Sequence, residues 1–111
     1  MFEKLPQRPT IPWRQRMDGG DDMFTPKALA ASDRALDAFL SELASLDQPA
    51  TEATALPAVE RVVRKFNELN DKFGSFVETS EREELCAYID AALKSVGVTF
   101  PGDVTYQWRE W

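Results

Sequence analysis

Apolar residues recur along the middle of the chain at alternating steps of three and four. Leu29, Ser32, Leu36, Phe39, Leu43 and Leu46 keep that rhythm, and Ala35 and Leu40 widen the stripe. Such a stripe is the buried face of an amphipathic helix. Thr25-Pro26 supplies its start, because threonine caps a helix and proline suits the first helical position. The first long helix is therefore expected over residues 26–47, stopping before Pro49. Residues 48–55 read as a loop between packed helices. Val59, Val62, Phe66, Leu69 and Phe73 repeat the rhythm in a second helix, broadened by Val63, with Gly74 as a left-handed stop. Glu60 with Arg64 and Glu68 with Lys72 form i,i+4 pairs on its wet side. Phe76 and Val77 then turn back toward the core. A third helix is expected from Ser80, opened by a capping box with Glu83. It buries Leu85, Ile89, Ala92 and Val96 and ends at Gly97, where Val98 takes the apolar contact of a Schellman stop.

The two ends lack this order. Pro6, Pro9 and Pro12 recur at every third residue, so residues 5–13 are expected to be extended or polyproline-like. Leu5, Ile11, Trp13, Met23 and Phe24 let this arm lie on a core. The tail has no clean period, and Asp103 or Thr105 caps at most one short helical turn. No alternating strand pattern survives beyond about four positions. The expectation is one all-α domain over residues 1–111: an extended Pro-rich arm (1–24), a three-helix up-down-up core (25–97) and a Trp-rich tail (98–111) packed on it.

Composition narrows the function. The chain has 111 residues, a net charge of −6, no histidine and one cysteine. Its length suits a single domain. Without histidine it lacks the side chain most used for proton transfer near neutral pH and the commonest metal ligand. One cysteine excludes an internal disulfide and multi-cysteine metal sites. The acidic balance argues against nucleic acid as a partner. No stretch approaches a membrane span and the start does not resemble a signal peptide, so a cytoplasmic location is expected. No cofactor or metal is expected.

Met17-Asp-Gly-Gly-Asp-Asp22 lacks the spacing of a calcium loop and reads as a solvated turn. Glu78, Glu81, Glu83 and Glu84 bunch where a helix N-terminus attracts negative charge, so capping competes with an acidic contact surface. That segment with the third helix carries half of the net charge. Cys86 has no base near it in sequence and reads as a core cysteine. Asn67, Asn70 and Asp71 close the second helix. Asn70 suits either a bond to the following loop or a polar contact with a partner. The aromatic ends are the most distinctive feature: Trp13 with Arg14 and Arg16, and Tyr106, Trp108, Arg109 and Trp111. Tryptophan and arginine are enriched in binding hot spots, but both ends also suit cover for a small core.

Two segments carry a resemblance: Phe66-Asn-Glu-Leu-Asn-Asp-Lys-Phe-Gly-Ser-Phe-Val-Glu-Thr-Ser-Glu-Arg-Glu-Glu-Leu-Cys86 and Asp103-Val-Thr-Tyr-Gln-Trp-Arg-Glu-Trp111. Together they resemble a group of small, acidic, uncharacterised bacterial helical proteins, and more distantly the small acidic immunity proteins that block toxins. The resemblance implies a bacterial origin and no particular activity.

The expectation is a non-enzymatic module that binds a protein partner or itself, with an immunity-like inhibitor or adaptor as one form. Its candidate interface residues are Trp13, Arg14, Arg16, Asn70, Glu78, Glu81, Glu84, Tyr106, Trp108, Arg109 and Trp111. The alternatives are a small-ligand binder or carboxylate-based enzyme, and a homodimer that buries the aromatic ends.

Overall fold

The computed structural model describes residues 1–111 and contains four α-helices and no strand. They are α1 (Thr10–Asp18), α2 (Pro26–Ser45), α3 (Glu52–Lys72) and α4 (Thr79–Ser95). The chain is all-α, but it has one helix more than the sequence pattern predicts, because nine of the 24 residues of the expected extended arm are helical.

The prolines explain that difference. Pro9 is the N-cap of α1 and Pro12 falls in its first turn. Amides of a first turn have no partner within the helix, so proline there forfeits no hydrogen bond. Gly19-Gly20 then ends the helix. Gly20 adopts φ 107°, the Asp21 N–H reaches the Arg16 carbonyl at 2.9 Å, and the Gly20 N–H reaches that of Met17 at 3.1 Å. This bond pair is a Schellman stop. The acidic glycine-bearing run is therefore a helix terminus rather than a free turn.

Helix α2 starts as expected: the Thr25 hydroxyl accepts from the Ala28 N–H at 3.1 Å, with Pro26 in the first position. Helix α3 begins inside the expected loop. Thr51 and Thr54 cap each other reciprocally, each backbone N–H donating to the other's hydroxyl at 3.0 and 3.1 Å. Pro57 lies within α3 on an exposed position.

Helix α4 also begins earlier than expected. Its N-cap is Glu78, whose N–H donates to Glu81 Oε1 at 3.1 Å, so the cap lies two residues before the expected Ser80–Glu83 box. Glu81 is held from outside by α1, and that tertiary contact overrides the local preference for serine. The end of α4 matches expectation. The Val98 N–H reaches Leu93 and the Gly97 N–H reaches Lys94, both at 3.0 Å.

Helices α2 and α3 are antiparallel, fastened near their connection by Arg61 Nε to Glu42 Oε2 at 2.7 Å. Their facing stripes meet α4 in one core that includes Leu36, Phe39, Phe66, Leu85 and Ile89. Each such side chain contributes about 1.5–3 kcal/mol on burial. Trp13, Phe24 and Trp111 belong to the same core, so both ends of the chain are structural. The Ala50 N–H donates to the Val96 carbonyl at 3.0 Å, tying the α2–α3 connection to the end of α4. No helix is long and apolar enough to cross a membrane.

Candidate functional site

The candidate residues of the N-terminal segment and of the acidic run meet each other. Arg16 on α1 donates from Nη1 to Glu81 Oε2 at 2.6 Å and to Glu84 Oε1 at 2.8 Å, and from Nη2 to Glu84 Oε2 at 2.7 Å. The hydrogen bonds that Arg16 donates to Glu84 raise its guanidinium pKa above the ordinary value, against the effect of burial. The Trp13 indole N–H donates to the same Glu84 at 3.1 Å. Trp13 itself is fully buried. Its ring stacks on Phe24 at 5.9 Å and meets Phe66 and Phe76 edge-on at 6.5 and 5.9 Å. These aromatic contacts fix α1, and α1 in turn sets the Arg16 cation against Glu81 and Glu84 at the start of α4.

This arrangement corrects the expected interface. Trp13 and Glu81 are buried, and Arg16 and Glu84 are engaged within the chain. Of this group Arg14 and Glu78 remain exposed. Glu78 serves as a cap, and Arg14 lines a shallow polar hollow with Arg8, Asp33 and Asp37. Asn70 turns inward, its Oδ1 accepting from the Val77 N–H at 2.8 Å.

The tail is held by its own network. Asp103 opens a turn by accepting from the Thr105 N–H at 3.0 Å and the Thr105 hydroxyl at 2.6 Å. Arg109 donates to Thr105 Oγ1 at 3.2 Å, to Asp103 Oδ2 at 2.9 Å and to the Trp111 carbonyl at 2.8 Å. Burial alone would raise the Asp103 carboxyl, but the bonds from Thr105 and Arg109 hold it below its ordinary value. Arg109 also lies over the Trp111 ring at 5.5 Å and the Tyr106 ring at 5.6 Å. Trp111 is buried and Trp108 is half-buried, so Tyr106, at 75% exposure, is the one aromatic of the tail left to solvent.

The sequence pattern marks Asn67 only as one of the polar residues near the end of the second helix, and not as the residue that docks this tail. Asn67 Nδ2 donates to the Trp108 carbonyl at 2.8 Å, and Asn67 Oδ1 accepts from the Glu110 N–H at 3.0 Å. One amide thus pairs with the tail backbone as a strand would. The available signal was a polar residue one position from the apolar Phe66 in α3.

Reactive chemistry finds little support. Burial pushes the Cys86 thiol up, and its Sγ lies 3.5 Å from Thr105 Oγ1. A reactive thiol needs a lowered pKa, the opposite of this shift. No three acidic or thiol side chains converge as the donors of a metal would.

A groove of about 700 Å³ lies elsewhere, on the outer side of the α2–α3 pair. Its floor is Ala31, Ala35, Phe39, Val62 and Leu69, with Phe73 at one end and the exposed Ala30 and Ala38 along one wall. Its edges carry Lys27, Arg34, Arg61, Lys65 and Lys72 against only Glu42 and Glu68. An acidic chain therefore has this groove edged mostly by positive charge.

Helix geometry produces this segregation. Asp33 and Asp37 of α2 point to the α1 side, where Arg8 Nη1 lies 2.8 Å from Asp37 and Thr10 donates to Asp33 at 2.6 Å. Lys27 and Arg34, seven residues apart, fall on the groove side two turns from each other. Arg61 is paired with Glu42, and Lys65 with Glu68 at 3.4 Å. Lys27, Arg34 and Lys72 have no carboxylate within ion-pair distance, although acids outnumber bases in the chain 19 to 13. Lys72 does not form the pair with Glu68 that its spacing predicts, because Glu68 turns to Lys65, and it lies over the Phe73 ring at 5.3 Å.

No protein-family model, curated protein or solved structure matches this chain.

Proposed function

We propose that the chain is a non-enzymatic protein-interaction module whose working surface is the α2–α3 groove. The observation that carries this reading is the groove itself: it runs between the two longest helices over a floor of buried apolar side chains, with Ala30 and Ala38 exposed along one wall, and three of its five flanking cations, Lys27, Arg34 and Lys72, have no carboxylate within ion-pair distance. Apolar floors with charged edges are what a partner helix uses for affinity and register. A small-molecule site concentrates a few polar groups around one point. Here the charges are strung along two helices over about four turns.

Two other forms of the reading have less to stand on. An immunity-like inhibitor steered by Glu78, Glu81 and Glu84 would use two carboxylates, Glu81 and Glu84, that already accept hydrogen bonds from Arg16. A homodimer through the aromatic ends would have mainly Tyr106 to bury.

The test is co-purification at low salt from cells that naturally produce the protein. The intact tagged chain is compared with an Ala30→Glu/Ala38→Glu double variant, which fills the groove from exposed positions, and with Ala87→Glu on α4. A stoichiometric partner kept by the wild type and by Ala87→Glu but lost from the double variant supports the reading. Recovery of no partner, or equal recovery with the filled groove, contradicts it.

A further inference from the structure

We infer that the groove receives an amphipathic helix from a partner protein, with large apolar side chains along one stripe and Asp or Glu on both flanks. This inference rests on the interaction-module reading and names the chemistry of its partner.

Three features select that occupant. The first is length. From Lys27 to Glu42 the α2 wall runs about 22 Å, the span of about four helical turns. The second is shape. Alanines form much of the floor and one wall, so the groove supplies space rather than knobs. Its partner must bring the bulk, as leucine, phenylalanine or methionine at steps of three and four.

The third is charge, and it is asymmetric. Lys27 sits in the first turn of α2, where the helix dipole already disfavours a cation. No carboxylate of the chain offsets it, and Lys72 of the antiparallel α3 adds a second cation toward the same end of the groove. Arg34 stands midway along α2, also unpaired. At the other end Glu42 neutralises Arg61. The free positive charge therefore lies along the Lys27–Arg34–Lys72 half. An acidic helix gains most with its carboxylates there, and its N-terminal half there would leave acidic residues near its own favoured end.

The experiment uses the intact protein and three fluorescent synthetic peptides of about 16 residues, long enough for four turns. All share one leucine stripe at steps of three and four. One has glutamate flanks, one lysine flanks, and one has the glutamate peptide's composition scrambled to break the stripe. Anisotropy at low salt is expected to show the glutamate-flanked peptide binding at least about tenfold more tightly than either other peptide. Added salt weakens it as screening requires. Lys27→Glu, Arg34→Glu and Lys72→Glu combined are expected to abolish the preference, while Arg14→Glu on α1 leaves it intact. Circular dichroism of each variant checks that the fold is kept.

Equal binding of the lysine-flanked or scrambled peptide overturns the inference, as does no binding or binding that survives the triple reversal. Stronger association with anionic lipid vesicles than with the glutamate-flanked peptide also overturns it, in favour of a membrane surface. If a partner is captured through the groove but the acidic peptide fails, the partner's chemistry is wrong and the module reading stands. If neither binds, both fall.

Discussion

Arg16 and Glu84 lie 68 residues apart and join through two parallel hydrogen bonds, Nη1 to Oε1 at 2.8 Å and Nη2 to Oε2 at 2.7 Å. The fork matches the carboxylate, so this pair has the geometry in which an ion pair is strongest. It joins the first helix to the last. With the bond from Arg16 to Glu81, it engages two of the four carboxylates of the acidic run.

Arg16→Met should destabilise the fold by about 1–3 kcal/mol. That is less than the loss for breaking a fully buried pair, because a third of the Arg16 side chain is exposed. The loss comes mainly from Glu81, which stays nearly buried without its cation. Trp13→Phe keeps most ring contacts and loses the bond to Glu84, for about 1 kcal/mol plus the smaller ring. Urea unfolding reads both. In a double-mutant cycle, Arg16→Met and Glu84→Gln should cost less together than the sum of the two alone. An unchanged midpoint for Arg16→Met would show that the clasp contributes nothing.

Asn67→Ala should loosen the tail while sparing the helices. The variant loses two hydrogen bonds to the tail backbone, worth about 1–2 kcal/mol together. Tryptophan emission should shift to the red as Trp108 and Trp111 meet water, and limited proteolysis should clip the chain near Gly102 first. Helical circular dichroism should hold near the wild-type value. Emission identical to wild type would mean that the tail is held by its apolar contacts alone.

Those two contacts mark where the sequence was readable and where it was not. Apolar spacing located the bodies of α2, α3 and α4, and Thr25-Pro26 and Gly97-Val98 marked ends that the structure keeps. Both signals are local, set by backbone geometry and by side chains three or four apart. Helix α1 was misread because proline weighs against helix in general yet is harmless in the first turn, and only the position of the turn decides. The start of α4 was misplaced because Arg16, far away in sequence, holds Glu81.

The candidate site was less legible for the same reason. Trp13, Arg16, Glu81 and Glu84 each look like interface residues alone, and only the fold shows that they satisfy one another. Lys27 and Arg34 look unremarkable alone and gain meaning once Lys72 arrives across an alanine floor. Their spacing of seven, with Ala31, Ala35 and Ala38 between and beyond, was the one clue available in sequence.

Acid should weaken the tail through Asp103. Its folded carboxyl lies below the ordinary value of 3.8, so the folded state gives up this proton more readily than the unfolded chain. The stabilisation is complete above that ordinary value and is lost as pH falls through the lower folded one. Wild-type stability should therefore drop below about pH 4 more steeply than that of Asp103→Asn, which has no such charge to lose. Urea midpoints from pH 6 to pH 2 provide the comparison. Parallel curves would mean that Thr105 and Arg109 bring no net gain to the charged carboxylate.

The central claim is that the chain meets its partner on the α2–α3 face and not at its aromatic ends or acidic run. Site-specific photo-crosslinking in producing cells tests it most directly, with the crosslinker placed at Ala38 in the groove, at Tyr106 in the tail or at Glu83 on α4. All three positions are exposed, so each variant should fold. The account predicts one discrete adduct from Ala38, lost when Lys27, Arg34 and Lys72 are reversed in charge, and only background from the other two. An adduct from Tyr106 or Glu83 with none from Ala38 would contradict it.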